Sequence, residues 1–411
     1  MDVLDPYCAG LDVHKKTVSV CVLTPGTQAK PHQQVREFGT TTRELLELAD
    51  WLLQNQVTHV GMESTGVYWK PIWNLLEAAG FALTLANAQH VKNVPGKKTD
   101  TADCVWLAQL LRHGLLPASF VPAASLRELR DLTRARTTFV RERAAVANRI
   151  QKTLEDANVK LGNVVCDILG VSSRAMLQGL VEGETEAARL ATRSRGRMRS
   201  KQPELRAALE GKISDHHRFL LREYLDQVEY LERKIAVFEE EIGRHLDPFV
   251  AAIDLLDPVP GCNPISLHGL LAEIGTDMAP FPTAQQLCRW ACVCPGNQES
   301  AGRRKSGRTR KGNRWLRGLL NQMAWAAAHT QGTYFWAQFR RLRRHRGEKR
   351  ALLAVAHSLL TVIWHMLKHG TEYRELGADY FDRIEPQRLE RQAVSRLERL
   401  GFTVMLQKKT A

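Results

Sequence analysis

The order of strand and helix patterns between residues 7 and 113 is the strongest constraint on the fold. Tyr7 to Thr24 contains two apolar, β-branched runs around a polar turn at His14 to Lys16, which predicts two β-strands. The patterns that follow predict a strand at 34–39, a helix at 41–54, a strand at 57–63, a helix at 66–79, a strand at 81–86 and a helix at 99–113. This succession favours an α/β fold with a mixed sheet.

The remainder of the chain is predicted to be mainly helical. Long charged helices are expected from Ser125 to about Leu161 and from Ile213 to Leu246. Apolar residues recur in the second helix at spacings of three and four, the pattern of a coiled-coil seam: Leu221, Leu225, Val228, Leu231, Ile235, Phe238, Ile242 and Leu246. Such a pair would form an antiparallel hairpin or an oligomerisation arm. Arginines that alternate with Ser and Gly from Arg193 to Lys201 predict a basic loop between the helices.

These patterns divide the chain into four regions. We expect a sheet domain at 1–124, a coiled-coil helical region with the basic loop at 125–250, a mainly helical domain at 251–370 and a tail at 371–411. Near the start of the third region, Asp257 to Ser266 resembles a helix-hairpin-helix turn, which can offer backbone N–H groups to a phosphate. Asn263 stands where such a turn usually has its second glycine. An ordinary turn between two helices explains the segment equally well.

Positive charge is concentrated in one part of the chain. The 411 residues carry a formal net charge of +14. Between Ala301 and Arg350 there are fifteen lysines and arginines against the single acid Glu348, so this stretch accounts for the whole excess. A localised cationic surface is typical of proteins that bind a polyphosphate.

Several other classes of protein are disfavoured. No uninterrupted apolar run approaches the roughly eighteen residues of a membrane span, and no signal-peptide pattern is present, so we expect a cytoplasmic protein without a membrane partner. Eight cysteines are too few for a disulfide scaffold in a chain of this length. Cys288, Cys292 and Cys294 match no standard zinc spacing and are expected to be small buried residues.

Four acids fall at positions where a sheet domain can bring them together. Asp12 ends the first strand, Glu63 ends a later parallel strand, and Asp100 and Asp103 lie three apart on the helix that closes the domain. The carboxyl ends of neighbouring strands converge on one crevice. Crowded carboxylates need cations, and Mg2+ suits them and supports phosphoryl transfer. Any one of these acids alone would more often be a solvated surface group.

A glycine- and arginine-rich run follows Ser300. Nearby guanidinium groups would stabilise the charge that develops if this serine attacked a phosphorus atom. A solvated hydroxyl is the alternative, and Ser306, which precedes Gly307, is a rival nucleophile. The cations expected to contact nucleic acid are Lys97, Lys98, Arg303, Arg304, Lys305, Arg308, Arg310, Lys311 and Arg314.

The motifs and their order resemble a known family. They are Gly10-Leu11-Asp12-Val13-His14, Met62-Glu63-Ser64-Thr65-Gly66, Lys98-Thr99-Asp100-x-x-Asp103, Pro260-Gly261, Glu299-Ser300 and Lys311-Gly312-Asn313-x-x-Leu316-Arg317. Together they resemble the DEDD insertion-sequence transposases, described as bridge-RNA-guided recombinases. That family pairs an N-terminal RNase H-like domain of the RuvC type with a C-terminal serine domain.

The resemblance implies a mechanism and an assembly. Mg2+ would be held by Asp12, Glu63, Asp100 and Asp103, and Ser300 would form a covalent phosphoserine link to donor and target DNA. A noncoding bridge RNA would pair with both DNAs, and in a homotetramer the acidic site of one subunit would meet the serine of another.

The sequence departs from the family in two places. Ala301 separates Ser300 from Gly302 where many relatives have Ser-Gly directly, and residues 158–213 form a longer segment than expected. Two other functions stay open. A RuvC-like junction nuclease would need the acids but not Ser300, and a non-catalytic nucleic-acid-binding scaffold would need only the basic segments and the coiled coil.

Overall fold

The computed structural model describes residues 2–26, 30–64, 66–87, 100–296, 298–300, 303–307, 309, 312–384 and 386–407. At 100–102, 298–300, 303–306, 388, 389 and 392 it describes the backbone alone. The chain divides into two compact units, Met1–Ala124 and Ser125–Ala411, and each is described by itself.

The first unit is built on a five-stranded mixed sheet. Its strands are β1 (Cys8–Val13), β2 (Thr17–Thr24), β3 (His32–Gly39), β4 (His59–Glu63) and β5 (Ala82–Ala86). They lie in the order β3-β2-β1-β4-β5. The first three strands are antiparallel neighbours, whereas β4 runs parallel to both β1 and β5. The predicted mixed sheet is confirmed.

Helices cover both faces of this sheet. They are α1 (Thr42–Gln54), α2 (Trp69–Ala78) and α3 (Asp100–Arg112). Every residue of β1 is buried. Alternate residues of the strand therefore face opposite helical layers, with Leu11 in the cluster that includes α1 and α2 and Cys8 in the cluster that includes α3.

One helix of this unit starts later than its sequence pattern suggests. Residues 66–79 predict a helix, but α2 begins at Trp69. Gly66 has a φ of 56°, which is left-handed and incompatible with the right-handed helix. The glycine therefore forms part of the approach to the helix.

The second unit is largely helical. Helices α4 to α17 span, in chain order, Ala124–Asp156, Leu161–Val164, Val171–Val181, Ala187–Thr192, Gln202–Leu209, Asp215–Arg244, Val250–Leu256, Pro264–Ile274, Ala284–Trp290, Arg314–His329, Tyr334–Arg346, Glu348–His369, Tyr380–Ile384 and Pro386–Arg399. Short 3-10 helices occupy Gly196–Lys201 and Asp247–Phe249, and two strands, β6 (Gln298–Ser300) and β7 (Arg303–Ser306), form a small antiparallel pair.

The long helices α4 and α9 lie antiparallel and contact each other through charged pairs. Arg136 Nε lies 2.9 Å from Glu239 Oε1, and Arg143 Nε lies 2.7 Å from Glu232 Oε1. Residue numbers rise along α4 as they fall along α9, which defines an antiparallel hairpin within one chain. Coiled-coil packing along the predicted seam stays a prediction.

The segment between the long helices is a folded insert. Its short helices α5 to α8 share an apolar cluster with α4 and α9, in which Leu161, Met176, Leu190 and Leu205 are completely buried. The basic loop predicted here is wrong in one respect, because Gly196–Lys201 forms a 3-10 helix. Alternating Arg, Ser and Gly concealed it, since helical side-chain periodicity is hard to detect in a helix so short.

The turn before α11 uses Gly261 and Asn263 in different ways. Gly261 has a φ of 88°, and a Cβ atom there would lie 2.3 Å from the carbonyl oxygen of Met323, so glycine is required. Asn263 is extended, with a φ of −150°, and its side chain caps α11 by accepting from Ser266 N. It therefore does not take the left-handed conformation expected of a second glycine in a helix-hairpin-helix turn.

One helix in the described part of the chain, α15, is long and apolar enough on average to cross a membrane. Of its most apolar window, 44% is buried inside the protein. Ala351, Val355, Leu359 and Ile363 are completely buried along one stripe of this helix. A single helix of this kind is weak evidence for a membrane span, because a core helix has the same composition.

Candidate active site

Asp12 and Glu63 lie side by side at the carboxyl ends of two neighbouring strands. Leu11 of β1 pairs with Met62 of β4 in a parallel register. Asp12 and Glu63 are the next residue of each strand. Paired strands lie about 4.8 Å apart, and residues in the same register point to the same side of the sheet. The two carboxylates therefore project from one side of the sheet at one edge.

Gly10 shows that this side is the one covered by α3. A Cβ atom on Gly10 would lie 2.3 Å from the Cys104 carbonyl oxygen and from Ala108 N, so glycine permits the close passage of the helix. Cys8, two residues earlier, lies with its Sγ 3.5 Å from the Ala108 carbonyl oxygen. The residues of β1 from Cys8 to Asp12 therefore lie progressively closer to the first turn of α3.

Glu63 lies on the same side by an independent observation. A Cβ atom on Gly61, two residues earlier in β4, would lie 2.8 Å from Leu116 Cδ2 and 3.3 Å from Leu111 Cδ2. Leu111 belongs to α3. Because side chains alternate along a strand, Glu63 faces the same layer.

The first turn of α3 brings two more acids to this side. The buried residues that α3 packs against the sheet are Cys104, Leu107, Ala108 and Leu111. Asp100 and Asp103 lie four residues before the first two of these, so they continue the same helical face by one turn. Asp103 is half-buried, and the structure describes only the backbone of Asp100.

The ionisation of Cys104 reports the proximity of two of the acids. Burial raises the pKa of its thiol to about 11. The negative charges of Asp12 and Asp103 also raise this pKa. Both carboxylates therefore act on one buried point between β1 and α3.

His14 is a neighbour of the acids that sequence reasoning did not select. Its Nε2 lies 3.1 Å from Asp12 Oδ2, and its side chain is 45% exposed. His14 lies one residue beyond the end of β1, and the available signal was its position two residues after Asp12. The imidazole can hold the Asp12 carboxylate in one orientation.

The donor set suits a hard divalent cation. Carboxylate oxygens are the ligands that Mg2+ prefers, and the backbone places four acids around one edge of the sheet. Among the side chains that the structure describes, no three acidic, histidine or cysteine groups lie close enough together to hold an ion. The Asp100 side chain is outside that set, so the four-acid site stays a prediction.

The glycine beside this edge gives a direct test of the geometry. Gly10→Ala should destabilise the protein by about 1–3 kcal/mol, because the added methyl group collides with the backbone of α3. The collision should also displace the turn that carries Asp100 and Asp103. Gly243→Ala is the matched control, because nothing lies within 4 Å of the added atom. Equal stability of the two variants in denaturant titration would contradict the close packing.

Ser300 lies in a short hairpin instead of an open loop. It is the last residue of β6 and pairs with Arg303, the first residue of β7. Ser306 pairs with Gln298 at the other end of the hairpin. The two candidate nucleophiles therefore occupy opposite ends of this element, which makes them distinguishable by experiment.

The predicted cationic contacts are only partly described. Arg303, Arg304 and Lys305 follow one another along β7, where their backbone alone is described. Arg314 begins α13, and its guanidinium lies 4.9 Å from the centroid of the Trp315 ring. Lys97, Lys98, Arg308, Arg310 and Lys311 lie outside the described residues.

A buried ionic network holds Asn313, the residue that precedes α13. Glu273 of α11 is 2% exposed and accepts hydrogen bonds from Arg134 Nε at 2.7 Å and Nη2 at 2.9 Å. Asn313 Nδ2 donates to the same carboxylate, and Asn313 Oδ1 accepts from Trp315 N at 3.0 Å. Asn313 thus caps α13 and bonds to the α11 carboxylate that also accepts from Arg134 of α4. Sequence analysis missed Glu273, although an acid within an apolar helix was the available signal.

A groove next to this network is lined by cationic and aromatic side chains. The Arg141 guanidinium lies 4.7 Å from the centroid of the Trp315 ring, and both residues line the groove. His268 also lines it, and burial lowers the pKa of that imidazole, with a smaller contribution from the positive charge of Arg136. Glu239 and Glu273 also line the groove and are paired there with Arg136 and Arg134.

Comparisons with known proteins account for both parts of the chain that carry these residues. Residues 9–159 match a transposase family model for DEDD enzymes of the IS110 type. Residues 253–340 match the model described as transposase IS116/IS110/IS902 family. Each matched region is similar to a domain of IS110-family transposases. The first contains all four acids of the candidate site and the second contains Ser300, whereas most of the helical insert lies between the matches.

A relative and a solved structure are also similar to this chain. A protein of Pseudomonas aeruginosa described as "Probable family 20 transposase" is 26% identical over 337 residues, which cover 80% of this chain and 89% of the relative. A Thermus thermophilus RuvC structure matches 28% of this chain and 99% of its own, with 12% identity and a TM-score of 0.22.

Proposed function

We propose that this protein is a DNA transposase that cuts and rejoins DNA with an acidic Mg2+ site and a serine nucleophile. The observation that carries the proposal is the adjacency of Asp12 and Glu63 on the side of the sheet where α3 brings Asp100 and Asp103. Four neighbouring acids repel each other, so a purely structural role at the edge of a sheet would not favour them. The match of the two end regions to one transposase family supports the same assignment.

Each proposed residue has a separate task. The four acids would hold Mg2+, which would stabilise the negative charge on the oxygens of the reacting phosphate. Ser300 would attack the phosphorus atom, and the deoxyribose oxygen would leave as the serine–phosphate bond forms. The phosphodiester energy is conserved in that bond, so a DNA hydroxyl can later displace the serine without a nucleotide cofactor. The cations of the basic segment would neutralise the DNA backbone.

The proposal extends to guidance and assembly. A noncoding bridge RNA would select donor and target DNA by base pairing. The protein would recognise mainly the sugar-phosphate backbone and the shape of that RNA. The working unit would be a homotetramer, in which the acidic site of one subunit meets Ser300 of another. These two features rest on the resemblance of the motifs.

Reconstitution tests the function as a whole. Purified protein would be incubated with Mg2+, a donor duplex, a target duplex and the RNA transcribed from DNA next to its gene. Exchange of strands should require all of these components and should be lost on chelation of Mg2+. Exchange that proceeds equally without RNA would rule out guidance by a bridge RNA. DNA binding without any cutting would favour a non-catalytic nucleic-acid-binding scaffold.

The basic segment after Ser300 gives a quantitative prediction. Replacing Arg308 and Arg310 by alanine should weaken binding to DNA and reduce the slope of log affinity against log salt by about one for each lost phosphate contact. Fluorescence anisotropy over a series of salt concentrations measures this slope. An unchanged slope would mean that these arginines form only a solvated surface.

A further inference from the structure

A basic surface that the proposed chemistry does not use lies on the helical insert. Four exposed cations occupy or adjoin its 3-10 helix: Arg195, Arg197, Arg199 and Lys201. Within the described part of the chain, none of the four forms an ion pair with a carboxylate. Arg193 differs, because its Nη2 lies 3.1 Å from Glu182 Oε2. The four cations are therefore available to an external anion.

The backbone that carries these cations is fixed by the insert itself. Arg195 N donates to Ser172 Oγ at 2.9 Å. Met198 packs half-buried against the apolar cluster of the insert. Gly196 has a φ of 55°, which permits the change of direction into the 3-10 helix. An array held in this way loses less conformational entropy on binding than a flexible basic tail would.

The composition of the insert defines the kind of partner. From Ala187 to Pro203 the chain has six lysines and arginines and no acid, a composition that suits a polyanion. Arginine favours phosphate, because its planar guanidinium donates two parallel hydrogen bonds. Residues 158–213 contain no Phe, Trp, Tyr or His. Proteins that bind single strands use aromatic side chains as stacking platforms, so this surface is suited to the backbone of a duplex.

We propose that Arg195, Arg197, Arg199 and Lys201 form a docking surface for the phosphate backbone of duplex DNA. Contacts to phosphates add affinity without sequence preference. The proposal takes from the proposed function only that DNA is the substrate.

The test is a salt titration with charge-matched variants of the full-length protein. One variant replaces the four surface cations by glutamine: Arg195→Gln, Arg197→Gln, Arg199→Gln and Lys201→Gln. The other replaces four cations that pair with carboxylates: Lys160→Gln, Arg189→Gln, Arg218→Gln and Arg244→Gln. Both variants lose four positive charges, so bulk charge is held constant. Circular dichroism confirms that each variant is folded.

Binding is measured with a fluorescent 40-base-pair duplex of random sequence and with an RNA hairpin of matched phosphate number. The surface variant should lose about 3.6 units of salt slope on duplex DNA, at about 0.9 for each of four lost contacts, and the paired-cation variant should keep the wild-type slope. Equal losses in both variants would overturn the proposal, as would no loss in either. A loss confined to the RNA hairpin would also overturn it and assign the surface to RNA.

This outcome is independent of the chemistry at the acidic site. A protein that shows the expected slope change but never exchanges strands keeps the docking surface and loses the proposed function. If the protein exchanges strands but the surface variant has an unchanged salt slope, the proposed function is kept and the docking surface is lost.

Discussion

Replacing Asp12 by asparagine or Glu63 by glutamine is expected to reduce DNA strand exchange by at least about a hundredfold. Loss of one metal-binding carboxylate removes several kcal/mol of transition-state stabilisation, and each 1.36 kcal/mol corresponds to about tenfold in rate. Asparagine keeps the shape of Asp12 and an oxygen that can contact His14, so the fold should be retained. The rate of recombinant-strand formation in Mg2+ measures the effect.

Stability supplies the control for these two variants. Without Mg2+, removal of one charge from a cluster of acids relieves repulsion, so the thermal unfolding temperature should stay unchanged or rise slightly. Unfolding at a much lower temperature would make the activity loss uninformative. Full strand exchange by either variant would rule out the proposed metal site.

Ser300→Ala is expected to abolish the covalent protein–DNA adduct and to lower strand exchange by about a thousandfold or more, as removal of a nucleophile commonly does. A suicide DNA substrate, whose cut strand cannot be rejoined, traps the adduct, which migrates slowly on a denaturing gel. DNA and RNA binding should persist, because one hydroxyl contributes little to an interface dominated by phosphate contacts.

Ser306→Ala is the matched control, since it removes the same group from the other end of the β6–β7 hairpin. This variant should keep the adduct. Loss of the adduct in Ser306→Ala and its retention in Ser300→Ala would assign the nucleophile to Ser306 and would leave the serine mechanism in place.

The first unit was predictable because its signals are local. The sequence pattern of β4 ends at Glu63 and that of β1 ends one residue after Asp12, and the apolar stripe of α3 can be counted back to Asp100 and Asp103. What the sequence does not contain is the approach of α3 to Gly10, which depends on packing between elements about a hundred residues apart. His14 was missed for a simpler reason, because a polar turn residue has many possible roles.

The second unit was less predictable because its important contacts are between distant helices. Glu273 becomes a site of interest only when Arg134 and Asn313 are brought to it across three helices. The 3-10 helix of the insert was mistaken for a loop, since six residues are too few to establish a period. Ser300 was placed in a loop for a similar reason, because strands of three and four residues carry almost no alternation signal.

The fate of the cut DNA strands tests the central claim most directly. Wild-type protein, its RNA, Mg2+ and two duplexes would be incubated together, and every product end would be sequenced. The account predicts junctions that join donor to target, with few free ends, because energy stored in a serine–phosphate bond drives rejoining. Accumulation of free ends without junctions would contradict it and would assign the acidic site to a nuclease that uses metal-activated water.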